Sequence, residues 1–181
     1  MNSPRTLAEL NAADRDAFTS ALGHLFEHSP WVAEEAWASR PFRNVEQLHT
    51  KLCAAMRAAS RDRQAALIRA HPDLAGRLAR LGQLTADSKR EQAGAGLDRL
   101  TPEELTAFEK LNRTYRGRFR FPFIVCARLS NKAAILAAMQ LRLSNPPDVE
   151  FQTALAEIEK IARLRLDDLL AAGSEKPAKP A

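Results

Sequence analysis

The chain has 181 residues, 45% hydrophobic and 27% charged, with a formal net charge of +5 and a pI near 9.6. That length suits one domain with its own core, and no stretch approaches the ~18 consecutive apolar residues of a membrane-spanning helix. The 27 Lys and Arg are interspersed with 22 Asp and Glu and aromatics are only 6%, so the charge reads as a mildly basic surface suited to small anionic ligands, with nucleic-acid binding the weaker reading. Cys53 and Cys126 lie far apart, outside any C-x-x-C pattern, and are read as small buried residues of a reducing compartment. The first residues, MNSPRTLAELNAADRD, lack the basic and apolar regions of a secretory leader. A cytoplasmic location is therefore expected.

Abundant Ala, Leu and Arg with few glycines favour helix. Residues 1–13 are read as an entry segment. Asp14 caps a helix whose Phe18, Ala21, Leu22, Leu25 and Phe26 form one apolar stripe, expected to stop near Ser29. Ser29-Pro30 reads as cap and first-turn proline for a short helix from Trp31 to Ser39, broken by Arg40-Pro41-Phe42. Asn44, with Gln47 three residues on, opens a helix carrying Val45, Leu48, Leu52, Ala55 and Met56 on one face. Another, from about Asp62, buries Ala65, Leu67 and Ile68 and stops at His71, where Pro72 disfavours helix.

The stretch 73–100 is loosened by Gly76, Gly82, Gly94 and Gly96 and is the natural place for a ligand-facing loop. Thr101-Pro102-Glu103-Glu104 starts a helix that runs to about Tyr115. FRFPFIVCA, 119–127, is short and proline-broken, with extended backbone one way to run it. Helices follow at about 131–143 and 149–171. The expected fold is an all-α, single-domain bundle of about eight helices over 1–172, with a disordered polar tail at 173–181.

Three features carry possible chemistry. The first is the stretch from His71 to Gln92, which gathers an imidazole, a carboxylate and an amide close together in sequence. His71 suits acid–base work near neutral pH, and the bland alternative is a loop histidine at a helix end. Ser88-x-x-Glu91 has the capping-box spacing, so Ser88 and Glu91 could simply start a helix. The second is Arg165, which falls where the stripe Phe151, Leu155, Ile158, Ala162, Leu169 wants a hydrophobe. An inward guanidinium holding a carboxylate and an arginine snorkelling past a helix end are equally weighted, and Arg163 falls on another face. The third is His24-x-x-Glu27-His28, which matches an inverted zinc-peptidase pattern. It lacks a third ligand, and histidines bordering an amphipathic helix near its end account for it, so no metal site is assigned. No GxGxxG, P-loop or GxSxG occurs, which leaves nucleotide cofactors and serine nucleophiles without a motif.

Seven stretches in order, Phe26-Glu-His-Ser-Pro-Trp31, Arg40-Pro-Phe42, His71-Pro-Asp-Leu-Ala-Gly76, Ser88-x-x-Glu91-Gln92, Asn112-x-x-Tyr115, Phe119-x-Phe-Pro-Phe-Ile124 and Ile161-Ala-Arg-Leu-Arg-Leu166, resemble the 2-oxo-4-hydroxy-4-carboxy-5-ureidoimidazoline (OHCU) decarboxylases of urate breakdown. The resemblance covers nearly the whole chain to about Leu170. It implies an all-α homodimer that needs no cofactor or metal, takes the small ureidoimidazoline as substrate, and releases (S)-allantoin and carbon dioxide. It implies His71 and Glu91 as catalytic residues. It implies Pro72, Ser88, Gln92, the main chain around Phe121, Phe123 and Ile124, and Arg165 (or Arg163) as substrate-binding. No nucleic acid or membrane partner is expected. The chain ends Lys179-Pro180-Ala181, not in a peroxisomal tripeptide, which fits a bacterial cytoplasmic protein. The rival expectation is a non-enzymatic basic helical module that binds an acidic partner.

Overall fold

The computed structural model describes residues 5–76 and 84–174. Among the described residues there are nine α-helices, three 3-10 turns and no strand, so the all-α class is borne out. Two compact units result: one from the chain up to Leu67 with the segment from Glu159 on, the other from Ile68–Ile158. The tail read as disordered, 173–181, lies outside the described residues from 175 on.

In the first unit the entry segment is not structureless. Helix α1 (Leu7–Ala12) begins with a capping box, in which Thr6 Oγ1 accepts from Glu9 N at 3.2 Å and Glu9 Oε2 from Thr6 N at 3.0 Å. The Thr-x-x-Glu signature satisfies two donors that the helix cannot, and the segment read only as an entry to the fold is helical from Leu7 to Ala12. Helix α2 (Arg15–Leu22) is capped as predicted, with Asp14 Oδ1 accepting from Ala17 N at 2.8 Å. It ends at Leu22, short of Ser29, and tightens into the 3-10 turn Gly23–Leu25. Pro30 packs back on Gly23, where a Cβ would come within 3.0 Å of the proline Cβ, so the missing side chain leaves room for the approach. The predicted stripe of Phe18, Ala21, Leu22, Leu25 and Phe26 is nonetheless fully buried.

Helix α3 (Trp31–Ala36) and the turn Trp37–Ser39 end where expected. Pro30, not Ser29, holds the cap position, and no side chain caps it. The Ser29 carbonyl instead accepts from Val32 N at 3.2 Å. The break at 40–42 is tied down by charge and amide. Arg40 donates to the carbonyls of Trp37, Asn11 and Ala13 and stacks 4.1 Å over the Trp37 ring. Asn11 exchanges two hydrogen bonds with the Phe42 backbone, at 2.9 and 2.8 Å. Helix α4 (Val45–Ala58) starts at the predicted Asn44 cap. Helix α5 (Arg61–Ala70) stops directly before His71.

In the second unit, α6 (Ala86–Gly94) gives regular structure to part of the stretch read as irregular. Thr85 caps it, its Oγ1 accepting from Ser88 N at 3.3 Å. Ser88 is therefore inside the first turn, and the Ser88-x-x-Glu91 capping-box alternative fails. Helix α7 (Pro102–Phe119) has the predicted Thr101–Glu104 capping box but runs a turn beyond Tyr115 and closes with Arg120 in the left-handed region, φ 65°. Residues 121–126 have no regular structure before the 3-10 turn Ala127–Leu129. Helix α8 (Lys132–Arg142) is capped by Asn131, and α9 (Pro147–Ser174) starts two residues earlier than expected.

The core of this unit is aromatic. Tyr115 packs against Phe119, Phe121 and Phe123 at centroid distances of 4.6, 6.0 and 5.3 Å, and Phe151 meets Phe121 edge-on. Each such ring removes a large apolar surface from water, and cutting one back to Ala costs about 3–5 kcal/mol.

Candidate functional site

His71 sits at the end of α5, 6% exposed, its N–H reaching the Ile68 carbonyl at 3.2 Å. Pro72 ends the helix, and residues 73–76 fold into a turn closed by Gly76 N to Asp73 O at 3.2 Å. The turn is tight: Ala75 has φ 50°, and a Cβ on Gly76 would lie 2.7 Å from Asp73 Cβ. That close approach explains the glycine at the end of His-Pro-Asp-Leu-Ala-Gly.

Three side chains fasten the turn from outside. Gln92 Oε1 accepts from Ala75 N at 3.0 Å, and Asn112 Nδ2 donates to the Leu74 carbonyl at 2.9 Å. Arg116 Nε forks onto both carboxylate oxygens of Asp73, at 2.8 and 2.9 Å. Asn112 and Arg116 lie one turn apart on α7, and Gln92 comes from α6, so two helices fix the backbone next to His71. Sequence reasoning assigned no role to Asp73, Asn112 or Arg116. For Asn112 a signal existed: a polar residue in the buried row Phe108, Asn112, Tyr115, Phe119, the same irregularity that marks Arg165.

Ser88 and Gln92 are one turn apart on α6 and buried, 5% and 6% exposed, while Glu91 is half-buried. Helix α6 packs on the turn Ala127–Leu129. There Cys126 is held by its own N–H donating to Glu157 Oε2 at 2.7 Å. The Cys126 thiol is raised above its ordinary range by burial first, then by the Glu157 carboxylate and, with a smaller effect, by that of Glu91. Glu91 thus lies on the helix that packs beside the segment following Ile124. His71, Pro72, Ser88, Glu91, Gln92 and the 121–124 segment all belong to the second unit, and Gln92 ties α6 to the turn after His71.

The side chains of Phe121 and Phe123 belong to the aromatic core, which leaves main-chain groups as what this segment can offer. One of these is engaged: the Ile124 carbonyl accepts from Arg142 Nη1 at 2.8 Å. Arg142 also bonds Glu150 and lies 4.3 Å over the Phe123 ring. Glu150, fully buried, further accepts from Tyr115 Oη and from Asn145 Nδ2. Burial, then the Glu150 hydrogen bond, pushes the Tyr115 phenol well above its ordinary range.

Arg165 belongs to the first unit. It is 4% exposed, which settles the choice between an inward and a snorkelling guanidinium in favour of the former. Its Nη1 donates to Glu27 Oε2 at 3.1 Å and to the carbonyls of His24 and Leu25 at 3.3 and 3.5 Å. Arg163 is on the surface, paired with Asp167 and Glu46. Glu27 is thus the buried counter-ion of Arg165, and no cluster of three potential metal ligands occurs among the described residues.

A family model described as OHCU decarboxylase matches residues 11–167. A Haloferax volcanii protein named 2-oxo-4-hydroxy-4-carboxy-5-ureidoimidazoline decarboxylase is 46% identical over 161 residues, 89% of this chain and 94% of its own length. The crystal structure of an (S)-allantoin synthase superposes with a TM-score of 0.73 at 32% identity, covering 92% of this chain and 54% of that one. A crystal structure of OHCU decarboxylase in the presence of (S)-allantoin has a TM-score of 0.68 at 22% identity over 88% of this chain and 99% of that one, a likeness of fold.

Proposed function

The chain belongs to the OHCU decarboxylase family, and on that premise we propose that it decarboxylates 2-oxo-4-hydroxy-4-carboxy-5-ureidoimidazoline to (S)-allantoin and carbon dioxide, a step of urate breakdown. The observation that carries the reading is the family match over residues 11–167, a span in which His71, Glu91 and Arg165 lie.

The substrate's name contains most of the mechanism. Its C4 bears both hydroxyl and carboxylate, and C5 is doubly bonded to a ring nitrogen. When the C4–carboxylate bond breaks, its electron pair forms a C4–C5 double bond and the C5–N pair moves onto nitrogen. The ring nitrogen and one face of C5 then each take up a proton, and the C4 hydroxyl loses its own to become the ring carbonyl, so that one proton is consumed overall. The substrate is its own electron sink. The protein has to orient the carboxylate out of the ring plane, stabilise the displaced charge and choose the face of protonation.

In our proposal His71 is the acid–base partner at the hydroxyl and carboxylate, and Glu91 grips ring or ureido N–H groups. Gln92, its oxygen occupied by Ala75, presents amide N–H donors to a ring oxygen. Ser88 and Pro72 shape the surroundings of His71, and the 121–124 main chain meets the ring. Arg165 holds the anionic group by paired hydrogen bonds, as guanidinium geometry suits. The burial of His71 and the tight fastening of its turn support a role that depends on fixed geometry. We propose a homodimer as the assembly, which sedimentation would register as twice the 20.1 kDa chain mass.

The test is stereochemical. Substrate is generated in situ from urate with the oxidase and hydrolase, and circular dichroism follows the allantoin formed. Rapid appearance of one enantiomer is expected, with the rate falling by about 10²–10⁴ in His71→Ala while the melting curve is retained. Slow racemic product, no faster than without protein, would refute the activity. An active His71→Ala would refute the role of His71 alone.

A further inference from the structure

Glu27 is the centre of His24-x-x-Glu27-His28, a motif that the decarboxylase reading leaves unused. We propose that Glu27 is the positioning residue for Arg165, fixing where the guanidinium sits and so how the substrate's anionic group is held. The inference rests on the reading of Arg165 as the substrate-holding arginine.

Both side chains are almost completely out of water, 2% exposed for Glu27 and 3% for Arg165, with N and O 3.1 Å apart. Two buried charges are a poor way to gain stability, because apolar side chains of the same volume do as well or better. The geometry is better suited to orientation. Three acceptors converge on the single nitrogen Nη1, and all come from one short stretch: the His24 and Leu25 carbonyls and the Glu27 carboxylate. That stretch is itself held in shape, by the 3-10 turn Gly23–Leu25 that contains its first two residues and by His28 in the left-handed region, φ 48°, directly after it. A guanidinium is planar and rigid, so fixing one nitrogen against three acceptors limits the direction in which the fork can point. The carboxylate also offsets the charge of Arg165. Recognition of an anion there depends on directed hydrogen bonds more than on net positive charge, and directed bonds are sensitive to small displacements.

The experiment is a double-mutant cycle on the full chain, with Glu27→Gln, Arg165→Lys and the double variant. Each is assayed for kcat and KM by the coupled circular dichroism method, and rates are normalised to folded protein from melting curves. Glu27→Gln keeps the shape and an acceptor oxygen but removes the charge. It is expected to lower kcat/KM roughly ten- to a hundredfold, as a misdirected binding group does. The double variant is expected to be no worse than Arg165→Lys, because Glu27 then has nothing to position. Glu27→Asp, which keeps the charge with a shorter reach, should recover part of the loss. It also takes the place of Glu27→Gln in the cycle if that variant does not fold.

Three results overturn the proposal: a Glu27 variant with wild-type kcat/KM beside an impaired Arg165→Lys, losses that multiply in the double variant, or a Glu27→Asp no better than Glu27→Gln where both fold. A fully active Arg165→Lys would instead sink the reading of Arg165, and the inference with it.

Discussion

Arg142 and Arg165 each sit against a glutamate that is nearly or fully buried, yet their surroundings differ in kind. Arg142 is bonded in several directions at once. Nε and Nη2 reach Glu150, Nη1 reaches the Ile124 carbonyl, and the guanidinium lies over the Phe123 ring. Its carboxylate is shared further with Tyr115 and Asn145. Arg142 therefore joins α7, α8, the start of α9 and the 121–126 segment. For Arg165, three acceptors that meet at Nη1 come from one stretch of four residues, 24–27. A cation whose bonds bind several elements to one another behaves as a fastener. One whose bonds define its own position behaves as a placed functional group. The same residue pair, Arg with Glu, serves both ends, and only the distribution of partners separates them.

The comparison breaks most visibly if Arg142 is removed. Arg142→Met leaves the Glu150 charge in the interior without its cation, and removing one member of a buried pair costs about 3–5 kcal/mol. For a chain of this length that lowers the melting temperature by about 10 °C or more. Replacing both members, Arg142→Met with Glu150→Leu, should recover part of the loss, since no buried charge is then stranded. A Tm in Arg142→Met within a degree or two of wild type would mean that Arg142 is no fastener.

A smaller effect is expected one bond further out. Tyr115→Phe keeps the ring and its aromatic contacts but removes the hydroxyl that donates to Glu150. Hydrogen bonds to charged groups are worth about 1.5–3 kcal/mol, so denaturant midpoints should fall by an amount clearly below that of Arg142→Met. Equal losses from the two variants would show that the network is centred on the phenol and not on the guanidinium.

How far these features could be read in sequence follows from how local their causes are. Caps were legible at Asp14, Asn44 and Thr101 because a side chain meets a backbone N–H two or three residues on. The Thr6–Glu9 box is of the same local kind, although the helix it starts is only six residues long and offers little periodicity. Ser88-x-x-Glu91 shows the limit of such patterns, because Thr85 takes the cap and the spacing was coincidental. Arg165 was visible as a charge in an apolar stripe. Arg142 was not, since a cation in the last turn of a helix is ordinary. Glu27 was visible in a stretch resembling the family and at the centre of a false metal motif, but not as a counter-ion, because its partner lies 138 positions away. The clamps on the turn after His71 likewise come from Gln92, Asn112 and Arg116, which sequence alone could not bring to one backbone.

The smallest expected effect sharpens the comparison from the exposed side. Glu104 also pairs with a cation, accepting from Lys132 Nζ at 2.8 Å, but in solvent, and it completes the capping box by accepting from Thr101 N at 2.9 Å. The Lys132 hydrogen bond first, and the Thr101 N–H second, hold its carboxyl below the usual carboxylate range. A depressed folded-state value contributes stability that is present at neutral pH and is lost as pH falls through the usual carboxylate range and then through the folded value. Glu104→Gln should therefore change little in strong acid and lose a small, salt-sensitive increment at neutral pH. Thr101→Ala, which removes the other half of the box, should cost about 1 kcal/mol at any pH, because its hydroxyl does not titrate. Urea melts of both variants at neutral and acid pH make the distinction. A pH-independent loss in Glu104→Gln would assign its contribution to neutral hydrogen bonding rather than to charge, and the contrast with the buried Glu150 would then be one of burial alone.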